Sequence, residues 1–227
     1  MCYNKGTTER ERDRVRHDRR QARATVRMCY DRKYEGSMNK MKTFTKADLL
    51  NMATAEKARL IEKIDSEGAK QACNDRKVLT ACVNAEKILC AVGDKFTANA
   101  EVYTAGRETP IFNYGTVAEQ ALFYLRTRRA TGKSEKDGYD HSLNGRKCEY
   151  KACLSHSSKN SPYTPNNAGK WADVLLVNAV GVWYIPAEDA QGLIDKYGRF
   201  SPTADYSEYM PEDMIDLCET LTAAIFG

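Results

Sequence analysis

One stretch of the sequence decides the predicted fold, and it reads Tyr139-Asp-His-Ser-Leu-Asn-Gly-Arg-Lys-Cys-Glu-Tyr-Lys151. Polar and apolar residues alternate on both sides of its Asn-Gly pair, and Asn-Gly between alternating runs is the strongest short-range signal for a β-hairpin. Counting outward from a two-residue turn at Asn144 and Gly145 brings Asp140 opposite Glu149. The segment therefore predicts an antiparallel hairpin that places these two carboxylates on one face.

The predicted hairpin has one ionic face and one mostly apolar face. Side chains alternate along a strand, so Lys151 shares the face of Glu149, whereas Cys148 and Tyr150 lie on the other. Two opposed carboxylates destabilise a hairpin unless a cation compensates for their repulsion. Lys151 can neutralise one carboxylate, but hard carboxylate oxygens are also the ligands that Mg²⁺ and Mn²⁺ prefer. The ionic face therefore predicts a divalent-metal site.

Helical and strand patterns flank the hairpin on both sides. Upstream, a helix is predicted from a Thr45 cap to residue 64, another over about 75–92, a short strand within 101–107 and a helix over 116–129. In the last of these helices, Thr116 and Glu119 have the spacing of a capping box. Downstream, strands are predicted at 172–179 and 181–185, and helices near 187–197 and 211–226. These elements predict an α/β (α+β) fold with a central mixed sheet flanked by helices.

With these flanks, the hairpin resembles the PD-(D/E)XK nuclease superfamily, which includes many type II restriction enzymes, homing endonucleases and DNA repair nucleases. The resemblance rests on Asp140, on Glu149-Tyr150-Lys151, on the preceding helix with Glu119 and on the following segment Asp173-Val-Leu-Leu-Val177. It implies a restriction-endonuclease-like core and a Mg²⁺-dependent or Mn²⁺-dependent endonuclease that hydrolyses DNA phosphodiester bonds at specific sites, as restriction or homing enzymes do.

The resemblance implies a role for each matched residue. Asp140 and Glu149 would hold the metal ion together with the backbone carbonyl of Tyr150. Lys151 would be catalytic, and Glu119 would assist from the preceding helix. All four side chains are therefore candidate catalytic residues.

The match departs from the superfamily pattern in two places. Gly138-Tyr139 stands where the family pattern has a proline before the first aspartate, and the spacing from Asp140 to Glu149 is short, which the Asn-Gly turn explains. The resemblance covers roughly residues 111–186, and residues 1–100 show none.

Simpler explanations remain open for the same residues. Glu149 and Lys151 can form a surface ion pair of little energetic value beside Asp140, and Glu119 can be no more than the capping partner of Thr116. Two other functions also remain open: a structure-specific repair or recombination nuclease, and a nucleic-acid-binding protein without catalytic activity.

The N-terminal residues are strongly basic. Residues 1–33 contain eleven Lys or Arg and five Asp or Glu, a balance of +6, although the whole chain carries only +4. An arginine-rich helix can bind phosphates bidentately and gains affinity from counterion release, whereas the alternative is a solvated helix with ion pairs along its surface. The candidate DNA contacts are Arg16, Arg19, Arg20, Arg23, Lys147 on the hairpin and Lys159 in the polar loop after it.

Length and composition bound the remaining possibilities. The chain has 227 residues, 42% hydrophobic and 29% charged, which is typical of a globular protein. It has no apolar run near the roughly 20 residues that span a bilayer, and its eight cysteines form no Cys-x-x-Cys pair for zinc. We expect a cytoplasmic protein without membrane association, divided into a basic arm (1–35), a helical region (36–100) and a nuclease core (101–227). Two-fold recognition of a DNA site would make it a homodimer.

Overall fold

The structure is a computed structural model that describes residues 42–66, 72–103, 111–129, 141–156 and 172–227. All of these residues belong to one compact unit. The predicted basic arm lies outside them, as do Asp140 and Lys159.

Five helices and eight strands make up the described part of the chain. The helices are α1 (Lys46–Ser66), α2 (Ala72–Ala91), α3 (Tyr114–Thr127), α4 (Ala187–Tyr197) and α5 (Glu212–Phe226). The strands are β1 (Lys42–Thr45), β2 (Thr97–Ala100), β3 (Val102–Tyr103), β4 (Ile111–Phe112), β5 (His141–Leu143), β6 (Arg146–Cys153), β7 (Asp173–Asn178) and β8 (Val182–Ile185). In the described ranges, each helix is too short or too polar to cross a membrane.

The central sheet has the strand order β5-β6-β7-β8. Strand β6 pairs antiparallel with β5 and parallel with β7, and β7 pairs antiparallel with β8. Two small antiparallel pairs, β1-β2 and β3-β4, accompany it. The predicted fold class, a mixed sheet flanked by helices, is confirmed.

The β5-β6 hairpin has the predicted turn and register. Asn144 and Gly145 both have positive φ, at 49° and 79°, which is the requirement of a type I′ turn. Leu143 pairs with Arg146, and the pairing continues to His141 opposite Cys148. Asp140, the next residue outward, lies outside the described residues, so its position opposite Glu149 stays a prediction.

The two faces of the sheet pack against different elements. Cys148, Tyr150 and Leu175 belong to the larger hydrophobic cluster, which also takes buried residues from α1, α2, α3 and α5. Val174 and Leu176 lie on the opposite face, in a smaller cluster with residues of α4 and of the segment that follows α4. Burial of both faces explains why β7 reads as a continuous apolar run.

The start of α3 corrects one prediction. Asn113 is the N-cap of this helix, and its side-chain oxygen accepts a hydrogen bond from the Thr116 backbone N–H at 3.2 Å. Thr116 is therefore inside the helix, and the predicted capping box of Thr116 with Glu119 is wrong. The spacing of Thr116 and Glu119 matches a capping box. However, Asn113 is also a strong N-cap residue, and the two residues between it and Thr116 are helical. Glu119 consequently does not serve as the partner of a Thr116 cap.

The capping of α1 agrees with the sequence. The Thr45 hydroxyl accepts from the Asp48 backbone N–H at 3.2 Å, and the Asp48 carboxylate accepts from the Thr45 N–H at 3.0 Å. The Thr45 hydroxyl also donates to the Asp48 carboxylate at 2.7 Å, and this bond, with the one from the Thr45 N–H, holds the pKa of Asp48 below its usual value. The prediction that Thr45 caps this helix is confirmed.

Three strands were not predicted, β1, β2 and β4, because each has at most four residues and no clear alternation. Two hydrogen bonds hold strand β2 against α3. The Gln120 side-chain amide donates to the Asn99 backbone carbonyl at 2.7 Å and accepts from the Asn99 backbone N–H at 2.8 Å. Helix α2 also packs on α3 and α5. The predicted division of the chain at residue 100 stays a prediction.

Candidate active site

Strand β6 carries the centre of the candidate site. Glu149 and Lys151 lie two residues apart on the same face, and the Lys151 Nζ is 2.9 Å from the Glu149 Oε1. Their side chains are 20% and 29% exposed, respectively. The sequence prediction that these two residues share one face is therefore confirmed.

The surroundings of this ion pair are apolar on the side of β7. In the parallel register, Glu149 is aligned with Val174 and Lys151 with Leu176, and both partners are fully buried. Low-dielectric neighbours strengthen electrostatic interactions at the site and raise the cost of leaving a charge there without a partner. The pair thus lies at the border between the core and solvent.

Helix α3 brings a second carboxylate to the same strand. The Glu119 Oε1 accepts a hydrogen bond from the Ala152 backbone N–H at 3.3 Å. Ala152 directly follows Lys151, so the Glu119 carboxyl group contacts β6 beside the ion pair. This hydrogen bond holds α3 against β6 one residue after Lys151.

Aromatic packing on the opposite face fixes how β6 lies on α3. The Tyr150 ring is buried and makes an edge contact with Phe123 at 5.6 Å between ring centroids. The Arg126 guanidinium lies 5.8 Å from the Tyr150 ring centre. His141 makes an edge contact with the same Phe123 at 5.2 Å, so this histidine also packs on the apolar face.

The donor set of the site is suited to a hard divalent cation. The described part of the chain contains no group of three or more His, Cys, Asp or Glu side chains placed to hold a metal. However, Mg²⁺ is usually held by one or two carboxylates, with water and substrate phosphate oxygens completing its octahedron. Glu149 supplies one oxygen ligand of this kind, and Glu119 reaches the neighbouring backbone of β6 from α3, so the described residues offer part of such a donor set.

Of the predicted DNA contacts, Lys147 is described and the others are not. Lys147 is exposed on β6 and, by alternation, projects on the face of Glu149 and Lys151. Arg16, Arg19, Arg20, Arg23 and Lys159 lie outside the described residues.

Asp173 has a positioning role that the sequence did not reveal. Its carboxylate accepts hydrogen bonds from the Tyr184 hydroxyl and, at 2.8 Å, from the Ala187 backbone N–H at the start of α4. Burial and the Asp173 carboxylate both raise the pKa of Tyr184. A carboxylate at a helix N-terminus is favourable, and Pro186, the N-cap residue, offers no side-chain cap. Asp173 thus holds α4 against the sheet beside the site.

Comparisons with models of protein families, with curated proteins and with solved structures found no match. The geometry of the described residues is therefore the basis for proposing a function.

Proposed function

We propose that this protein is a metal-dependent endonuclease that hydrolyses DNA phosphodiester bonds. The observation that carries the proposal is the Glu149–Lys151 ion pair on β6, with the Glu119 carboxyl group bonded to the next backbone N–H of the same strand. This arrangement supports the resemblance to the PD-(D/E)XK superfamily, in which Asp140, Glu149, Lys151 and Glu119 would form the site.

The position of the ion pair beside the buried core of the sheet argues against a simple surface pair. Exposed pairs contribute little, and nothing holds their side chains in one geometry. Glu149 and Lys151 are instead largely withdrawn from water, beside two fully buried residues of β7. Preorganised charges at a partly dry site are the arrangement that stabilises charge developing in a transition state.

Each residue has a chemical task in the proposed reaction. The Lys151 ammonium donates to the attacking water or to a phosphate oxygen, and Glu149 orients that ammonium. Asp140 and Glu149, with the Tyr150 carbonyl, would supply oxygen ligands to Mg²⁺ or Mn²⁺, and Glu119 would assist from α3. A bound ion of this kind lowers the pKa of a coordinated water and neutralises charge on the phosphate.

The proposed substrate is duplex DNA with a specific site, as in restriction or homing endonucleases, and the proposed assembly is a homodimer. A two-fold dimer presents two copies of β6 to the two strands, so that each copy cuts one. The exposed Lys147 lies on the face of the ion pair, where it can contact a phosphate.

A cleavage assay tests this function. The full chain is incubated with Mg²⁺ or Mn²⁺ and with plasmid, linear, branched and single-stranded DNA, and the product ends are mapped. We expect cleavage that EDTA abolishes, and ends at one sequence for a site-specific enzyme or at junctions for a structure-specific one. Intact DNA on every substrate, combined with DNA binding that Lys151→Ala leaves unchanged, would instead identify a non-catalytic DNA-binding protein.

A further inference from the structure

A cleft of about 400 Å³ lies on the same face of the sheet as the ion pair. Its lining includes His156, Tyr197, Arg199, Phe200, Tyr206 and Tyr209. Phe200 and Tyr206 belong to the smaller hydrophobic cluster, together with Val174 and Leu176, the β7 neighbours of Glu149 and Lys151. The cleft and the candidate active site therefore share one sheet face.

Strand β6 connects the two sites. The Cys153 thiol near the end of β6 donates to the Phe200 carbonyl at 3.2 Å, which holds the strand against the segment that forms the cleft. His156 lies five residues after Lys151, a separation of at most about 17 Å in an extended chain. That distance corresponds to about five nucleotides of a stacked strand, at about 3.4 Å per nucleotide.

The lining combines aromatic rings with cations. Tyr197 is 59% exposed, and the Lys196 Nζ lies 4.9 Å from the centre of its ring. Arg199, two residues on, is exposed and has no carboxylate within ion-pair distance in the described part of the chain. Tyrosine faces beside arginine and lysine are the groups that stack on a planar base and bind its phosphate.

The two carboxylates of the lining have partners within the protein. Asp205 accepts a hydrogen bond from the Ser207 backbone N–H at 2.8 Å. The neighbouring Glu208 side chain raises the pKa of Tyr209. Both acidic groups lie at the 3₁₀ turn Ser207–Tyr209, whereas Arg199 and His156 reach the lining from other segments of the chain.

We propose that this cleft binds one unstacked nucleobase together with its adjoining phosphate. The volume is in the range of small-molecule sites, and Tyr197 and Arg199 supply the stacking surface and the phosphate contact. That the base belongs to the strand cut beside Lys151 rests on the proposed nuclease function. In that case the cleft holds a nucleotide a few positions from the scissile phosphate and fixes the register of the strand.

Binding of a mononucleotide tests the cleft without any cleavage. The full chain with Lys151→Ala is titrated in EDTA with deoxyadenosine 5′-monophosphate, by calorimetry and saturation-transfer NMR. Deoxyribose 5-phosphate and deoxyadenosine separate the contributions of phosphate and base. We expect Tyr197→Ala to weaken binding of the mononucleotide about 10-fold, in line with the loss of one stacked ring. Arg199→Ala should weaken binding of the mononucleotide but leave binding of deoxyadenosine unchanged.

Arg76→Ala is the matched control, because Arg76 is an exposed arginine on α2 and is not part of the cleft lining. Circular dichroism checks that each variant is folded. Absence of binding at millimolar nucleotide, or binding that neither Tyr197→Ala nor Arg199→Ala weakens, would overturn the cleft proposal even if the protein cuts DNA. Binding with the expected pattern in a chain that cuts nothing would support the cleft and refute the nuclease.

Discussion

Asn178 connects three backbone segments from a fully buried position at the end of β7. Its Oδ1 accepts from the Val180 and Gly181 N–H groups and from the Trp183 indole, at 3.0 to 3.1 Å. Its Nδ2 donates to the carbonyls of Ser201 and Ala204, at 3.3 and 2.8 Å. One amide thus fixes both the β7-β8 turn and the segment that lines the cleft.

Removal of this amide should destabilise the protein strongly. We expect Asn178→Ala to lower the free energy of unfolding by about 3 kcal/mol, because several buried donors and acceptors lose their partner. Urea denaturation measures the change. Asn51→Ala, at an exposed position of α1, is the control and should change the stability by less than about 0.5 kcal/mol. A loss below about 1 kcal/mol for Asn178→Ala would contradict this role.

Cys218 should make the stability sensitive to alkaline pH. Burial raises the pKa of its thiol from 9.0 to about 12 in the folded protein. The unfolded chain therefore releases this proton first as the pH rises, and folding loses about 1 kcal/mol between pH 8 and pH 10. Well below pH 9, the pKa of the unfolded thiol, the contribution is fully retained. We expect Cys218→Ala to reduce the pH dependence of urea denaturation over this range, whereas Cys73→Ala, at an exposed cysteine, should leave it unchanged.

Among the elements, the β5-β6 hairpin is the one that local chemistry determines most completely. Its Asn-Gly turn sets the register, and the register places Glu149 and Lys151 on one face. The start of α3 shows the opposite case. Two cap signals, Asn113 and Thr116, stand three residues apart, and the spacing of Thr116 with Glu119 favoured the wrong one.

Replacement by alanine should have opposite effects on stability at two glycines. Gly145 has a φ of +79°, and a Cβ there meets no atom within 4 Å, so Gly145→Ala should cost about 1 kcal/mol from backbone strain alone. Gly192 lies within α4 and is equally open, so Gly192→Ala should stabilise the protein by about 0.5–1 kcal/mol. Thermal unfolding compares the two variants. A stabilising Gly145→Ala would show that the turn is not type I′.

At the scale of the whole molecule, the sequence predicted features that depend on near neighbours. Periodicity predicted all five described helices, and turn chemistry predicted the hairpin. It could not predict features made by distant partners. Asp173 caps a helix that starts fourteen residues later, Gln120 bonds to β2 from α3, and Cys153 bonds to Phe200 of the cleft lining. These contacts leave no local pattern in the chain.

The measurement that tests the central claim most directly compares two lysines. Lys57 pairs with Glu86 at 2.5 Å, and the two side chains are 31% and 23% exposed, so their burial matches that of Lys151 and Glu149. We expect Lys151→Ala to lower the rate of Mg²⁺-dependent DNA cleavage about 100- to 1,000-fold, as loss of a transition-state contact does, with DNA binding retained. The Lys57→Ala variant should cut DNA at nearly the rate of the unsubstituted protein. Equal rates for the two variants would contradict the assignment of the active site to β6.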